Sequence, residues 1–190
     1  YIQGIDKLKS SQVQLLIEVG DTEQMIDKLS LGELDAVIAT QQIRRSHLDY
    51  LKIAREEFCL VAPPDIQLPK ADVSDQIPSD ELESYLLKQN WISYSSELPI
   101  IRRFWHSAFN HRPRFKPIMI VPSLLAIHKA VEAGMGLSVL PRYLCEQSLQ
   151  NGKMHILWQP DKVSVNDLWL VNRKVDRNNP EIGHLISLLD

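Results

Sequence analysis

The chain predicts an α/β fold, and three observations carry that prediction. Apolar stretches of strand length alternate with stretches of helical period. Two of the helical stretches close on glycine, at Gly32 and Gly134, the residue that most readily takes the left-handed turn ending a helix. The alternation also runs in two blocks, parted by an acidic, proline-bearing connector and followed by a return segment.

In order, Tyr1, Ile2, Ile5 and Leu8 read as the middle of a helix, and residues 13–19 read as a strand. Asp21 then caps a helix, with Gln24 placed to complete a capping box; Met25, Ile26 and Leu29 turn inward, Gly32 ends the helix and residues 34–39 form the next strand. A strand, helix, strand order favours a parallel, right-handed crossover with helices covering the sheet. Residues 55–62 read as a buried strand. Pro63, Pro64, Asp65, Asp72, Asp75, Asp80, Glu81 and Glu83 then mark an exposed connector, the first candidate hinge.

The second block predicts strand 91–94, helix 97–109, strand 116–121, helix 124–133 and strand 137–140, with Pro141 starting a further helix that ends near Asn151 and Gly152. Ser123 is placed to cap helix 124–133, whose Leu124, Ile127 and Val131 share one face. The return passes through 154–158 and 167–172. Asn179 and Pro180 open a last helix bearing Ile182, Leu185, Ile186 and Leu189. This pattern suits two α/β subdomains, the first holding both chain ends, and is equally compatible with one continuous sheet.

At 190 residues and 44% hydrophobic content, the chain can bury one substantial core or two modest ones. A net charge of −3 lacks the basic footprint of a nucleic-acid-binding domain. No apolar run approaches the roughly 18 residues of a membrane span. Cys59 and Cys145 read as small buried hydrophobes. His106 and His111 lack a Cys or carboxylate at zinc-like spacing, so no metal and no cofactor is expected. Arg102, Arg103, Arg112, Arg114 and Lys116 have no acidic residue between them. They read either as an anion or nucleic-acid patch or as the solvated side of an amphipathic helix buried through Ile100, Ile101, Phe104 and Ala108.

Three segments carry a resemblance. Residues 131–142, V-E-A-G-M-G-L-S-V-L-P-R, end a helix, turn on two glycines and launch a strand; residues 29–39 read L-S-L-G-E-L-D-A-V-I-A and residues 54–63 read A-R-E-E-F-C-L-V-A-P. They are similar, and in the same order, to the "V-x-x-G-x-G-[IL]-x-x-L-P", "L-x-x-G-x-L-D-[LA]-x-I-x" and "L-x-x-[ED]-x-[LF]-x-L-V-x-P" runs of the effector-binding domain of LysR-type transcriptional regulators. The resemblance covers nearly the whole chain.

It implies two Rossmann-like subdomains joined by hinge strands, as in type 2 periplasmic binding proteins, with residues 1–63 and 162–190 in one and 64–161 in the other. It implies a small anionic effector in the cleft between them, a homodimer or homotetramer, cytoplasmic location, no membrane contact, and DNA binding only through an N-terminal helix-turn-helix domain absent from this chain. The family's domain usually opens on a strand of the "L-x-[IV]-G" kind, whereas this chain starts inside the following helix; that strand and its turn are therefore expected upstream. Arg103 or Arg112 would be placed to pair across a dimer. The alternative is a solute-binding protein of a transport system with the same fold, which requires an export signal.

The ends of parallel strands and the helix N-termini after them offer free N–H groups suited to anions. Those positions are Thr40 in the first block and Tyr94, Ser95, Ser96, Val121 and Ser123 in the second. By resemblance these loops line the effector cleft, and Ser123 matches a position where the family often carries Ser or Thr. Read alone, each hydroxyl equally suits a helix cap, and the two roles are compatible. The same loops hold no His, Asp or Glu, so no acid/base pair and no catalytic activity is expected.

Overall fold

The computed structural model describes residues 14–69 and 79–189. They form two compact units, one made of the described residues up to Arg55 together with those from Asn166 onward, the other of Glu56–Val165. The chain passes between the units inside two long strands, β2 (Leu48–Ala62) and β7 (Ser164–Arg173).

In the first unit, α1 (Thr22–Leu31) starts where the Asp21 carboxylate accepts from the Glu23 amide at 2.9 Å. It ends on Gly32 at φ 81°, and the amides of Gly32 and Glu33 satisfy the Leu29 and Lys28 carbonyls. Ile26 and Leu29 are fully buried against Val37, Ala39, Leu48 and Val171. Arg173 on β7 donates from Nη1 to the carbonyls of Leu29 (2.8 Å) and Leu34 (2.6 Å), placing a cation at the negative end of α1. The closing helix, α6 (Pro180–Leu189), is opened by the Asn179 side chain accepting from the Glu181 amide at 2.9 Å.

The parallel crossover expected here is not formed among the described residues. Residues 14–19 carry no strand, and Leu16, Ile17 and Val19 are exposed. The strand β1 (Val37–Ala39), shorter than expected, pairs antiparallel with β7, Val37 opposite Val171. The alternation identified an apolar strand correctly but took its partner from the preceding segment, whereas the described partner returns from the far end of the chain. Val13 and the helix expected around Tyr1 to Leu8 lie outside the described residues.

In the second unit, β2 pairs antiparallel with β5 (Ser138–Pro141) and with β6 (His155–Trp158). The short strands β3 (Ile92–Ser93) and β4 (Met119–Ile120) pair parallel, and Trp91 bridges Leu137 in the same sense. Pro117 and Pro122 bracket β4 and help keep it short, because neither can donate to a ladder. Helices α3 (Pro99–Phe109), α4 (Leu124–Glu132) and α5 (Arg142–Gln150) complete the alternation. One helix was read as connector: α2 (Ser79–Leu87) buries Leu82 and Leu86, while Asp80 and Glu81 occupy the first turn, where acidic residues suit the helix dipole. Asp72 and Asp75 lie outside the described residues.

The core of this unit is aromatic on one side. Trp91 stacks on Phe115 at 4.8 Å and meets Trp105 edge-on at 5.7 Å. On the other side, Cys59 and Cys145, distant in sequence, share one cluster with Val61, Ile127, Val131 and Met154, both thiols free and buried.

The turn after α4 holds these layers in register. The amides of Gly134 and Met135 return to the Val131 and Ala130 carbonyls, the two bonds of a Schellman ending, with Gly134 at φ 80°. Gly136, at φ 150°, lies so close to the preceding strand that an added Cβ would sit 2.3 Å from the Asn90 carbonyl oxygen. Leu137 then donates to Asn90 at 2.7 Å and accepts from Ile92 at 2.9 Å, and the buried Ser138 hydroxyl donates to the Ile92 carbonyl at 2.9 Å.

A polar pin joins α4 to α5. The Ser148 hydroxyl donates to Glu132 at 2.6 Å and accepts from His128 Nε2 at 2.9 Å. Lys129 contacts the other Glu132 oxygen at 2.6 Å. Lys129 and Ser148 hold the Glu132 carboxyl down to about 2, while burial pushes the His128 imidazole below its ordinary value.

Two predictions follow from this architecture. Gly136→Ala should cost about 3 kcal/mol or more, because backbone must move, whereas Gly134→Ala, with open space around it, should cost about 1–2 kcal/mol for its left-handed backbone; urea unfolding midpoints would rank them. Acidification should also destabilise the fold in two stages. Both folded pKa values lie below the unfolded ones, so stability is complete above pH 6.5, declines as the unfolded His128 takes up its proton, and declines further as pH falls from 4.5 toward about 2 through Glu132. Ser148→Ala should flatten the lower stage, which chemical denaturation across that range would read.

Candidate functional site

The parallel register of β3 and β4 decides which expected residues meet. Ile92 stands opposite Met119 and Ser93 opposite Ile120, and the Val121 amide donates to the Ser93 carbonyl at 2.9 Å. Both strands therefore end at the same edge. Tyr94, Ser95 and Ser96 emerge beside Val121 and Ser123. Thr40 follows β1 in the first unit and is exposed.

At the β4 end, Ser123 is extended at φ −152° and its hydroxyl accepts from the Ala126 amide at 3.3 Å, while its carbonyl accepts from Ile127 at 3.0 Å. Among the described residues, the amides of Leu124 and Leu125 in the first turn of α4 have no acceptor. The half-buried Ser123 thus caps its helix and stands at the edge where β4 ends. Capping and ligand contact are compatible because the hydroxyl hydrogen is left unused by the cap.

At the β3 end, the hydroxyls do not cap α3. The residue before that helix is Leu98, in left-handed conformation at φ 54° with no side-chain cap, and Pro99 opens the helix. The Ser96 hydroxyl instead donates to the Glu97 carboxylate at 2.6 Å. That bond, with further help from the Glu97 backbone and from Ser95, holds the Glu97 carboxyl below the ordinary carboxylate range. Buried Ser93 braces the loop by donating to the Ser95 carbonyl at 2.8 Å. Tyr94 is partly exposed, with 37% of its surface accessible.

Glu97 and Ser93 were not among the residues expected here. Glu97 lay inside what the sequence reads as the start of a helix, and only the left-handed Leu98 shifts that start to Pro99 and leaves the carboxylate in the loop. Among the described residues, no group of three or more His, Cys, Asp or Glu side chains is placed to hold a metal ion, and no helix is long and apolar enough to cross a membrane.

Paired strand ends that open onto a helix N-terminus, in a chain divided into two units by long shared strands, make an α/β arrangement whose strand ends are the kind of place where open sheets hold ligands. Residues 8–190 match the LysR substrate binding domain, and the chain belongs to that family. It is 31% identical over 168 residues to the HTH-type transcriptional regulator AbaB of Streptomyces antibioticus, an alignment covering 84% of this chain and 52% of AbaB. The chain thus spans about half the length of that relative.

Its fold is similar to the C-terminal domains of a LysR family protein from Agrobacterium tumefaciens (TM-score 0.77, 15% identity, 98% of this chain and 86% of that one). It is similar too to full-length LysG of Corynebacterium glutamicum with bound effector Arg (TM-score 0.73, 11% identity, 98% of this chain and 62% of that one). The chain is therefore a LysR-type regulator effector-binding domain.

Ser123→Ala should lower stability by about 1 kcal/mol through loss of the α4 cap. Denaturant unfolding measures the cost; a change below a few tenths would remove the capping role.

Proposed function

We propose that this domain senses a small metabolite bearing a carboxylate, and that it biases the orientation of its two units as part of a transcription factor. The observation that carries the reading is the parallel register of β3 and β4, which brings the Ser123 hydroxyl and the free Leu124 and Leu125 amides beside the loop of Tyr94, Ser95 and Ser96. Neutral donors at a helix N-terminus favour an anion. Glu97 at the same edge repels a second negative charge. The effector's carboxylate is therefore assigned to the Ser123 end and an ammonium or other donor group to the Glu97 end, with Val121 and Tyr94 offering apolar contact. An amino acid or a close relative satisfies both ends. Thr40 is assigned as the contribution of the first unit.

In the full-length protein, the effector acts through a homodimer or homotetramer on DNA-binding helices upstream of this domain, in the cytoplasm. It does so only to the extent that it binds one arrangement of the units more tightly than the other. The domain carries out no catalysis in this reading, because the rim's polar groups other than Glu97 are hydroxyls and amides.

Thermal-shift screening of the full-length protein against amino acids and dicarboxylates tests this. An amino acid should raise the melting temperature, Ser123→Ala should weaken it by about tenfold or more, and Glu97→Gln should shift preference toward dicarboxylates. If no carboxylate-bearing metabolite stabilises the protein, or if Ser123→Ala leaves the response unchanged, the reading fails.

A further inference from the structure

Helix α3 has a second face that the effector reading leaves without a role. Ile101, Phe104 and Trp105 bury one side of it. The opposite side presents Pro99, Arg102, Arg103 and His106 at helical spacing, and the loop beyond brings Arg112 back to them. These five residues line an open cavity of about 470 Å³.

Among the described residues, none of its three arginines forms an ion pair with a carboxylate at contact distance. Arg45, Arg55, Arg173 and Arg177 each face an aspartate. Among the described residues, Arg102, Arg103 and Arg112 face none; Arg102 donates to the backbone carbonyl of Glu97 at 3.2 Å and feels the Glu97 carboxylate only at longer range, since that carboxylate is hydrogen-bonded by Ser96. Glu83, which approaches the same loop from α2, is engaged by Trp105 Nε1 at 3.0 Å and by His111 at 3.2 Å. Guanidinium groups stay protonated at any physiological pH, so three around one cavity repel one another until an anion enters.

From this we infer that the cavity is a binding site for a small phosphorylated metabolite, separate from the proposed effector site. A phosphoryl group offers three terminal oxygens and up to two charges, so several guanidinium forks can engage it together, whereas a carboxylate offers two oxygens and one charge. A cavity of this volume accepts a metabolite-sized molecule, with the Pro99 ring providing an apolar contact. The site would give the regulator a second chemical input, and it does not rest on the amino-acid reading.

Calorimetric titration of the full-length protein with pyrophosphate, at fixed ionic strength, tests the inference. Saturable binding at one site per chain is expected, weakened about tenfold or more by Arg103→Gln and by Arg112→Gln. Both side chains are exposed, so the variants should fold, as far-UV circular dichroism would verify. Arg44→Gln removes the same charge from an exposed residue of the other unit and should leave pyrophosphate binding unchanged. Ser123→Ala should weaken the amino-acid response and not the pyrophosphate one, which separates failure here from failure of the effector reading. Equal weakening by Arg44→Gln would show diffuse charge and overturn the inference. So would absence of saturable binding, or arginine variants that alter only the oligomeric state or the affinity for duplex DNA.

Discussion

The approach of Gly136 to the Asn90 carbonyl is the constraint on which the second unit depends. No side chain fits between these backbones, and their closeness lets Leu137 exchange hydrogen bonds with Asn90 and Ile92. That exchange sets β3 beside the start of β5, and the buried Ser138 hydroxyl fastens the same pair. Since β5 is laddered to β2, and β4 to β3, the edge carrying the candidate site inherits its position from one glycine contact. Gly134 serves a different end, closing α4 so that the chain can reach that contact.

Two kinds of electrostatics then share α3 and α4. At the β4 end, the donors are backbone amides and one hydroxyl, neutral groups held by a capped helix. At the β3 end, the Glu97 carboxylate draws in the Ser96 hydroxyl, so the edge is polarised rather than uniformly anion-seeking. Further along α3 and in the loop after it, the fixed positive charges of Arg102, Arg103 and Arg112 form no ion pair among the described residues. A neutral, directional edge suits discrimination between small molecules, while a cluster of permanent cations suits a multiply charged group.

Most of the second unit was legible in the sequence because its punctuation is local. Ser123, Gly134 and Pro141 each mark an element boundary through a preference of their own, and the structure keeps those boundaries to within a residue or so. Helix α2 was missed because its acidic residues were read as solvent-exposed connector, although Leu82 and Leu86 stand four apart on one face. The antiparallel partner of β1 was not legible, since the pairing of Val37 with Val171 joins residues 134 apart and no local pattern encodes it. At the site, the strand ends were legible as places, but the direction of Ser96 was not. It turns on the left-handed Leu98, a residue type that gives no sequence signal for that conformation.

The central claim is that a ligand is held where β3 and β4 end together. Backbone amide NMR of the protein, titrated with the metabolite that most raises its melting temperature, tests this most directly. The account predicts that the Leu124 and Leu125 amides shift first and furthest, joined by Ser95 and Ser96. Saturation with those four amides unmoved, and the largest shifts elsewhere, would contradict it.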